Sequence, residues 1–389
     1  MSLVSVITST RADWGLLRPF ADALAEEGVR VEVVVTGTHL SEDFGMTGGE
    51  VEASGFDIDA RIPILAKGDG PAAEALTMAN ALQGFAAYFS QKTPDAVLLL
   101  GDRYEMLAIA EAAFLFRIPI VHVHGGEKTI GAIDDCLRHC ITKLSSVHLA
   151  CTKEYTNRII QVGELPAHVY NVGAVGVENA LALPQMDSDE LFASLGIDPV
   201  NDYLLFTYHP VTAGGSDPLN EMSVVLDALA EVEMAVIATK ANADAGGFAI
   251  NELLDAYARR RDSFHLFPSL GSVRYMNALR NATAVVGNSS SGILEAPALG
   301  IPTVNIGPRQ DGRIRSDSVI DCAVDKDEIV AAIEKARSRN FREAARKQVS
   351  KFGNGDVSRP SARIIKRYLE HGFPSVKEFY DIPREDDRS

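Results

Sequence analysis

The chain has 389 residues, 46% hydrophobic and 23% charged, a length that one hydrophobic core seldom holds and a composition ordinary for a globular protein. Its formal net charge of -16 argues against nucleic acid or an anionic membrane as a partner of the whole surface, though not against one phosphate in a local basic pocket. Four cysteines, unclustered apart from Cys136 and Cys140, read as reduced intracellular thiols rather than a disulfide framework.

The N-terminus, MSLVSVITSTRADWG, has no basic region before its apolar run and goes straight into a strand pattern, so no signal peptide is expected. No apolar run is long enough to span a bilayer, and the expected location is cytoplasmic. Residues 4–8 form a β-branched strand, 15–27 a helix and 31–36 a second strand. Between them lies TSTRADWG, residues 8–15. A dinucleotide fold would place glycines here for a pyrophosphate. Arg11 stands there instead, before a helix N-terminus, either as an anion contact or as an exposed arginine at a turn.

Helical patterns at 72–90, 105–116 and 133–144 alternate with short apolar strands at 96–100, 120–124, 148–151 and 169–172. This alternation predicts a parallel, doubly wound sheet. Two strand ends are rich in chemistry. GDRYE, residues 101–105, offers Asp102 and Arg103 after a buried strand; the plain alternative is Asp102 capping the next helix with Arg103 ion-paired. VHVHGGE, residues 121–127, places His122 and His124 on one strand face and presents Glu127 after a Gly-Gly turn. A metal would need further ligands, and His139, Cys136 and Cys140 lack zinc spacing, so none is expected. Asp134 and Asp135 then begin a helix, where capping and dipole complementarity are the simple reading.

Residues 183–189, with Pro184, read as a linker. The strand–helix pattern restarts beyond it, with strands at 203–207, 234–238, 265–267, 284–287 and 303–306. Helices are expected at 218–230, 248–260, 272–280, 292–299, 327–337, 341–351 and 359–371. The fold class is therefore α/β, two Rossmann-like doubly wound domains at 1–182 and 183–358. The helix at 359–372 is expected to cross back to the first domain, and 383–389 is a charged tail. Ligands of open α/β sheets bind at the carboxyl ends of the strands, which predicts a cleft between the domains. In the second half, GNSSSGILE, residues 287–295, is the strongest motif. Small hydroxyl residues after a buried strand, at a helix start, form a pyrophosphate cradle, and Glu295 can accept hydrogen bonds from ribose hydroxyls. GPRQDGR, residues 307–313, adds two cations.

Six blocks in order, TSTRADWG, GDRYEM, HGGEKTIGAIDDCLRHCITKLS, HPVT, GNSSSGILEAP and NIGPRQDGR, resemble the UDP-N-acetylglucosamine 2-epimerase family. The resemblance is to its hydrolysing branch in sialic and nonulosonic acid synthesis. It implies the glycosyltransferase-B type of fold, a nucleotide-sugar substrate, a homodimer, and neither metal nor redox cofactor. Carried over by motif, Arg11 and Arg103 would contact phosphate or position substrate, and Asp102, Glu127 and Asp134 would be acid–base groups. His209 would be a contact from the second domain. Asn242, Ser289, Ser290, Glu295 and Arg313 would bind the nucleotide. One departure concerns His124, which stands where several members carry a glutamate, leaving the general-base role between His124 and Glu127. The resemblance implies conversion of UDP-N-acetylglucosamine, or a relative, to free N-acetylmannosamine, or its relative, plus UDP. A non-hydrolysing epimerase and a sugar transferase on the same fold are the rivals.

Overall fold

The computed structural model describes residues 2–42, 46–68, 70–130, 133–211, 217–241 and 246–383. Two compact units emerge: residues 1–128, 132–175 and 356–389 form the first, and residues 129–131 and 176–355 the second.

In the first unit the strands are β1 (Leu3–Thr8), β2 (Arg30–Thr36), β3 (Ile58–Ile62), β4 (Ala96–Leu100), β5 (Ile120–Val123), β6 (Val147–Ala150) and β7 (Val169–Asn171). They form one parallel sheet in the order β3-β2-β1-β4-β5-β6-β7. β4, β5 and β6 are buried along their whole length, as parallel strands covered on both faces must be. The helices are α1 (Arg11–Glu26), α2 (Gly48–Glu52), α3 (Pro71–Gln91), α4 (Tyr104–Leu115), α5 (Ile133–Leu144) and α6 (Lys153–Gln161). Thr10 starts α1, its hydroxyl accepting from Asp13 N at 3.1 Å, and Thr152 does the same for α6. These caps satisfy amides left free at a helix start.

The second unit begins with α7 (Val175–Ala182) and α8 (Ser188–Leu195). Its parallel sheet runs β10-β9-β8-β11-β12-β13, built from β8 (Tyr203–Thr207), β9 (Ala235–Thr239), β10 (Phe264–Phe267), β11 (Ala284–Gly287), β12 (Thr303–Ile306) and β13 (Val319–Cys322). α9 (Pro218–Glu231), α10 (Gly247–Ala258), α11 (Gly271–Asn281), α12 (Ser291–Ala298), α13 (Lys326–Arg337) and α14 (Arg339–Lys347) cover it. α15 (Ser358–His371) belongs to the first unit and packs on α1. Lys366 and Arg363 reach Glu27 at 3.2 and 3.3 Å, while Tyr368 meets His168 and Tyr170.

The two compact units divide after Val175, where the sequence placed the change of domain at 182. Arg280 of α11 donates to the carbonyls of Ala180, Leu181 and Leu183, so most of α7 is tied to the second unit. The expected linker at 183–189 in turn runs into α8, started by an Asp187–Glu190 capping box. β3 and β13 are sheet edges whose residues are mostly half-buried or exposed, and their sequences lack the continuous apolar runs of the central strands.

Candidate active site

The first unit gathers polar groups at the carboxyl ends of β4, β5 and β6. β5 stops at Val123, and His124 takes a left-handed φ of +65°, uncommon for a residue with a side chain. Its amide still bonds Leu149 O at 3.0 Å, extending the ladder by one residue. Gly126 follows at φ +76°, and a Cβ there would lie 2.4 Å from the Tyr155 carbonyl oxygen, so no other residue fits this turn. The turn carries Glu127 into a buried position. Glu127 Oε1 lies 3.1 Å from His124 Nδ1, and the Cys151 thiol donates to the same oxygen at 3.5 Å.

His122 does not share this site. Fully buried, it lies with Nε2 2.8 Å from Gly101 O and Nδ1 3.2 Å from Thr142 Oγ1, and burial pushes its pKa down to about 3. The two histidines expected on one strand face are thus separated by the end of the strand. His122 is a neutral packing group, and His124 is the one that meets Glu127.

Arg138 of α5 organises the rest. Its side chain is 2% exposed. It pairs with Asp102 and, at 3.2 Å, with Asp135, and donates to Glu127 O at 2.9 Å. One guanidinium therefore fixes three chain segments. Asp102 makes an ion pair rather than a helix cap; the N-cap position of α4 falls to Arg103, with no side-chain cap bond. Asp134, half-buried in the first turn of α5, has its pKa raised, first by burial and then by Asp102. Arg103 pairs with the buried Glu105. Ser9 Oγ lies 2.7 Å from Glu105 Oε1 and 2.9 Å from Asp13 Oδ2. A hydroxyl has one proton and cannot serve two carboxylates. Burial raises the Asp13 pKa, against the pull of Arg103, Ser9 and Thr10. Arg11 stands apart as an exposed residue paired with Glu50 at 2.9 Å.

In the second unit Gly287 ends β11 at φ +132°, and a Cβ there would lie 1.9 Å from Thr207 O. Asn288 then binds the loop together. It accepts from His209 N at 2.7 Å and donates to His209 O at 2.8 Å, and its own carbonyl accepts from Arg309 at 3.1 Å and Gln310 at 2.9 Å. Ser289 and Ser290 lead into α12, with Ser290 at the N-cap position and no side-chain cap bond. Glu295 sits one turn inside. Burial pushes its pKa up to about 7, against the pull of Arg313 and Ser291. Glu295 Oε2 and Arg313 Nε are buried without a hydrogen-bond partner among the described residues. Asn242 lies outside the described residues.

A model of the UDP-N-acetylglucosamine 2-epimerase family matches residues 22–366. The chain belongs to that family. It is 37% identical over 343 residues to a GDP/UDP-N,N'-diacetylbacillosamine 2-epimerase (hydrolyzing) of Campylobacter jejuni, covering 87% of this chain and 88% of that protein. It is 33% identical over 386 residues to a polysialic acid biosynthesis protein of Escherichia coli, covering 98% of each. Among solved structures, a UDP-N-acetylglucosamine 2-epimerase from Listeria monocytogenes superposes with a TM-score of 0.80 at 18% identity, over 98% of this chain and 99% of that one. That likeness bears on the fold, two parallel α/β domains.

Seen as part of this family, the residues sort by the unit that holds them. Asp102, His124, Glu127 and Asp134 converge on the strand ends of the first unit, through Arg138 and the Gly125-Gly126 turn. Ser289, Ser290, Glu295, Arg313 and His209 belong to the loops around β11 in the second. Sequence reasoning assigned no site role to Asn288, Tyr275 or Cys151, and placed Arg138 only among the charges crowded into residues 101–143 and expected to line a cleft. Arg138 was legible as a charge on an amphipathic helix, but not as its buried member. Cys151 is the first residue beyond β6, the strand paired with β5, so strand adjacency was the signal that would have found it.

Proposed function

We propose that this chain is a hydrolysing 2-epimerase. It converts a nucleotide-linked 2-acetamido sugar, UDP-N-acetylglucosamine or a 2,4-diacetamido relative, to the free 2-epimer and nucleoside diphosphate. The carrying observation is the buried Glu127 carboxylate held against His124 beside the Asp102–Arg138–Asp135 network, with the Asp134 pKa raised by burial and by Asp102. The hydrolysing name of the Campylobacter relative supports the branch, and its substrate supports the diacetamido option.

The chemistry makes specific demands. C2–H of such a sugar has no adjacent carbonyl and is not acidic. Departure of the nucleotide from C1 builds oxocarbenium character, which acidifies C2–H, and loss of that proton gives a glycal. Water then adds at C1 while a proton returns to C2 on the other face. This needs a base, a proton donor and cations on the diphosphate, and neither hydride carrier nor metal takes part. Glu127 and His124, in contact with each other, are assigned to the base, and Asp134, its pKa raised by burial, to the donor. Asp102, held by Arg138, steers water or supports the donor, and Arg103 and Arg11 face the diphosphate. Ser289, Ser290 and Asn242 take the phosphates, Glu295 the ribose, and Arg313 and His209 complete the nucleotide contacts. The assembly is proposed to be a cytoplasmic homodimer.

Incubating the pure protein with UDP-N-acetylglucosamine and with UDP- and GDP-linked 2,4-diacetamido sugars should release nucleoside diphosphate and a free 2-epimer from at least one. No release from any of them sinks the proposal.

A further inference from the structure

The side chains of His124, Glu127 and Cys151 each place a ligating atom within 4.8 Å of the other two. Glu127 and Cys151 are buried, and His124 is 14% exposed. One imidazole, one carboxylate and one thiol, with Oε1 of Glu127 touching both others, is a donor set suited to zinc or a similar thiophilic divalent ion, three protein ligands leaving a fourth position for water. It is distinct from the cysteines of α5, since Cys136 and Cys140 are exposed. The groups come from rigid places. His124 extends the β5 ladder, Cys151 directly follows β6, and Glu127 hangs from a turn only glycine can make.

We infer that His124, Glu127 and Cys151 form an inhibitory site for a thiophilic divalent cation, which occupies the lone pairs that proton transfer at the sugar requires. The inhibitory part rests on the proposed epimerase reading; the binding part does not. Coordination replaces the hydrogen bond from Cys151 to Glu127 with a sulfur–metal bond, and the thiol proton passes to solvent, so affinity rises with pH. The Arg138 guanidinium against the Glu127 carbonyl opposes a second cation, while Asp102 and Asp135 offset it. The site is therefore weaker than a structural zinc centre, which fits a reversible inhibitor.

The test titrates chelator-treated full-length protein with zinc chloride against a chromophoric chelator. The expected result is one equivalent bound by the wild type. Affinity should fall by roughly tenfold or more in Cys151→Ser and in Cys151→Ala, with thermal melts confirming that both are folded. In the turnover assay zinc should stop the wild type reversibly, chelator restoring it. Measured against its own zinc-free rate, Cys151→Ser should need at least about tenfold more zinc for half-inhibition than the wild type. No stoichiometric binding by the wild type, or equal binding by wild type and both variants, overturns the inference. A wild type that binds zinc but shows no turnover with any nucleotide sugar leaves the ion site standing and removes the epimerase reading instead.

Discussion

In the first unit the Arg138 guanidinium is engaged by Asp102, Asp135 and the Glu127 carbonyl, whereas in the second Arg313 keeps a buried Nε with no acceptor among the described residues. The contrast extends around both arginines. Near Arg138 the charged groups hold one another, although His124 Nε2 and Glu105 Oε2 of the first unit are also buried without a partner among the described residues. Near Arg313, Glu295 Oε2 is buried with no hydrogen-bond partner among the described residues. Leaving such a group unsatisfied costs about 1–3 kcal/mol. The first unit has therefore set its charges in place before any substrate arrives, as electrostatic preorganisation requires. In the second, the proposed nucleotide contacts would satisfy Glu295 Oε2 and Arg313 Nε.

The comparison breaks first if the preorganised groups do no chemistry. Glu127→Gln and Asp134→Asn should each lower kcat by about 10²–10⁴-fold while calorimetric affinity for UDP stays at the wild-type value. Wild-type turnover in both would remove them from the mechanism. Next in size is the cost of removing the organiser. Arg138→Leu leaves two carboxylates without their cation, and breaking a buried pair from one side costs about 3–5 kcal/mol. Urea unfolding should show a loss of that order, and an unchanged midpoint would mean that the network is not held by Arg138.

In the second unit, Glu295→Gln should weaken UDP binding by roughly ten- to a hundredfold, the worth of hydrogen bonds to a charged acceptor. The pH dependence carries a sign. Glu295 is raised to about 7 in the ligand-free fold, so its neutral form prevails below that value. Its contribution to stability is complete below the ordinary carboxyl pKa and is lost as pH rises through about 7. Ribose hydroxyls donate best to the ionised form, so UDP affinity should rise across that interval in the wild type and rise less in Glu295→Gln. Parallel curves would take the ribose away from Glu295. The smallest effect is expected at Arg11. Its pair with Glu50 is exposed, and Arg11→Ala should change stability by less than ~1 kcal/mol. A several-fold loss of UDP affinity in the same variant would show that the residue serves the diphosphate.

How much of this could be read from the sequence depended on burial. Central strands such as Ala96–Leu100 are apolar throughout and declared themselves, while Ile58–Ile62, a half-exposed edge carrying Asp59 and Arg61, did not. Asp102, Glu127 and Asp134 were legible as candidates because the sequence crowds acids at or just beyond two strand ends, with capping the plain alternative for Asp102 and Asp134. Arg138 was not legible as their organiser, since an arginine on a helix is ordinarily solvated, and only the packed structure reveals the three acceptors waiting for it. The same limit applied to His122 and His124. Strand alternation put them on one face, and the left-handed backbone at His124 took them apart. Asn288 was hidden inside a motif whose serines drew the attention, although its side chain ties the loop to His209.

The account stands or falls on a single product analysis. The protein is incubated in D₂O with UDP-N-acetylglucosamine and the diacetamido nucleotide sugars, and the mixture is followed by NMR. The account predicts free nucleoside diphosphate and free 2-epimerised sugar in equal amounts, with deuterium at C2. Epimerised nucleotide sugar without free diphosphate, or released sugar that keeps its original C2 hydrogen and configuration, would contradict it.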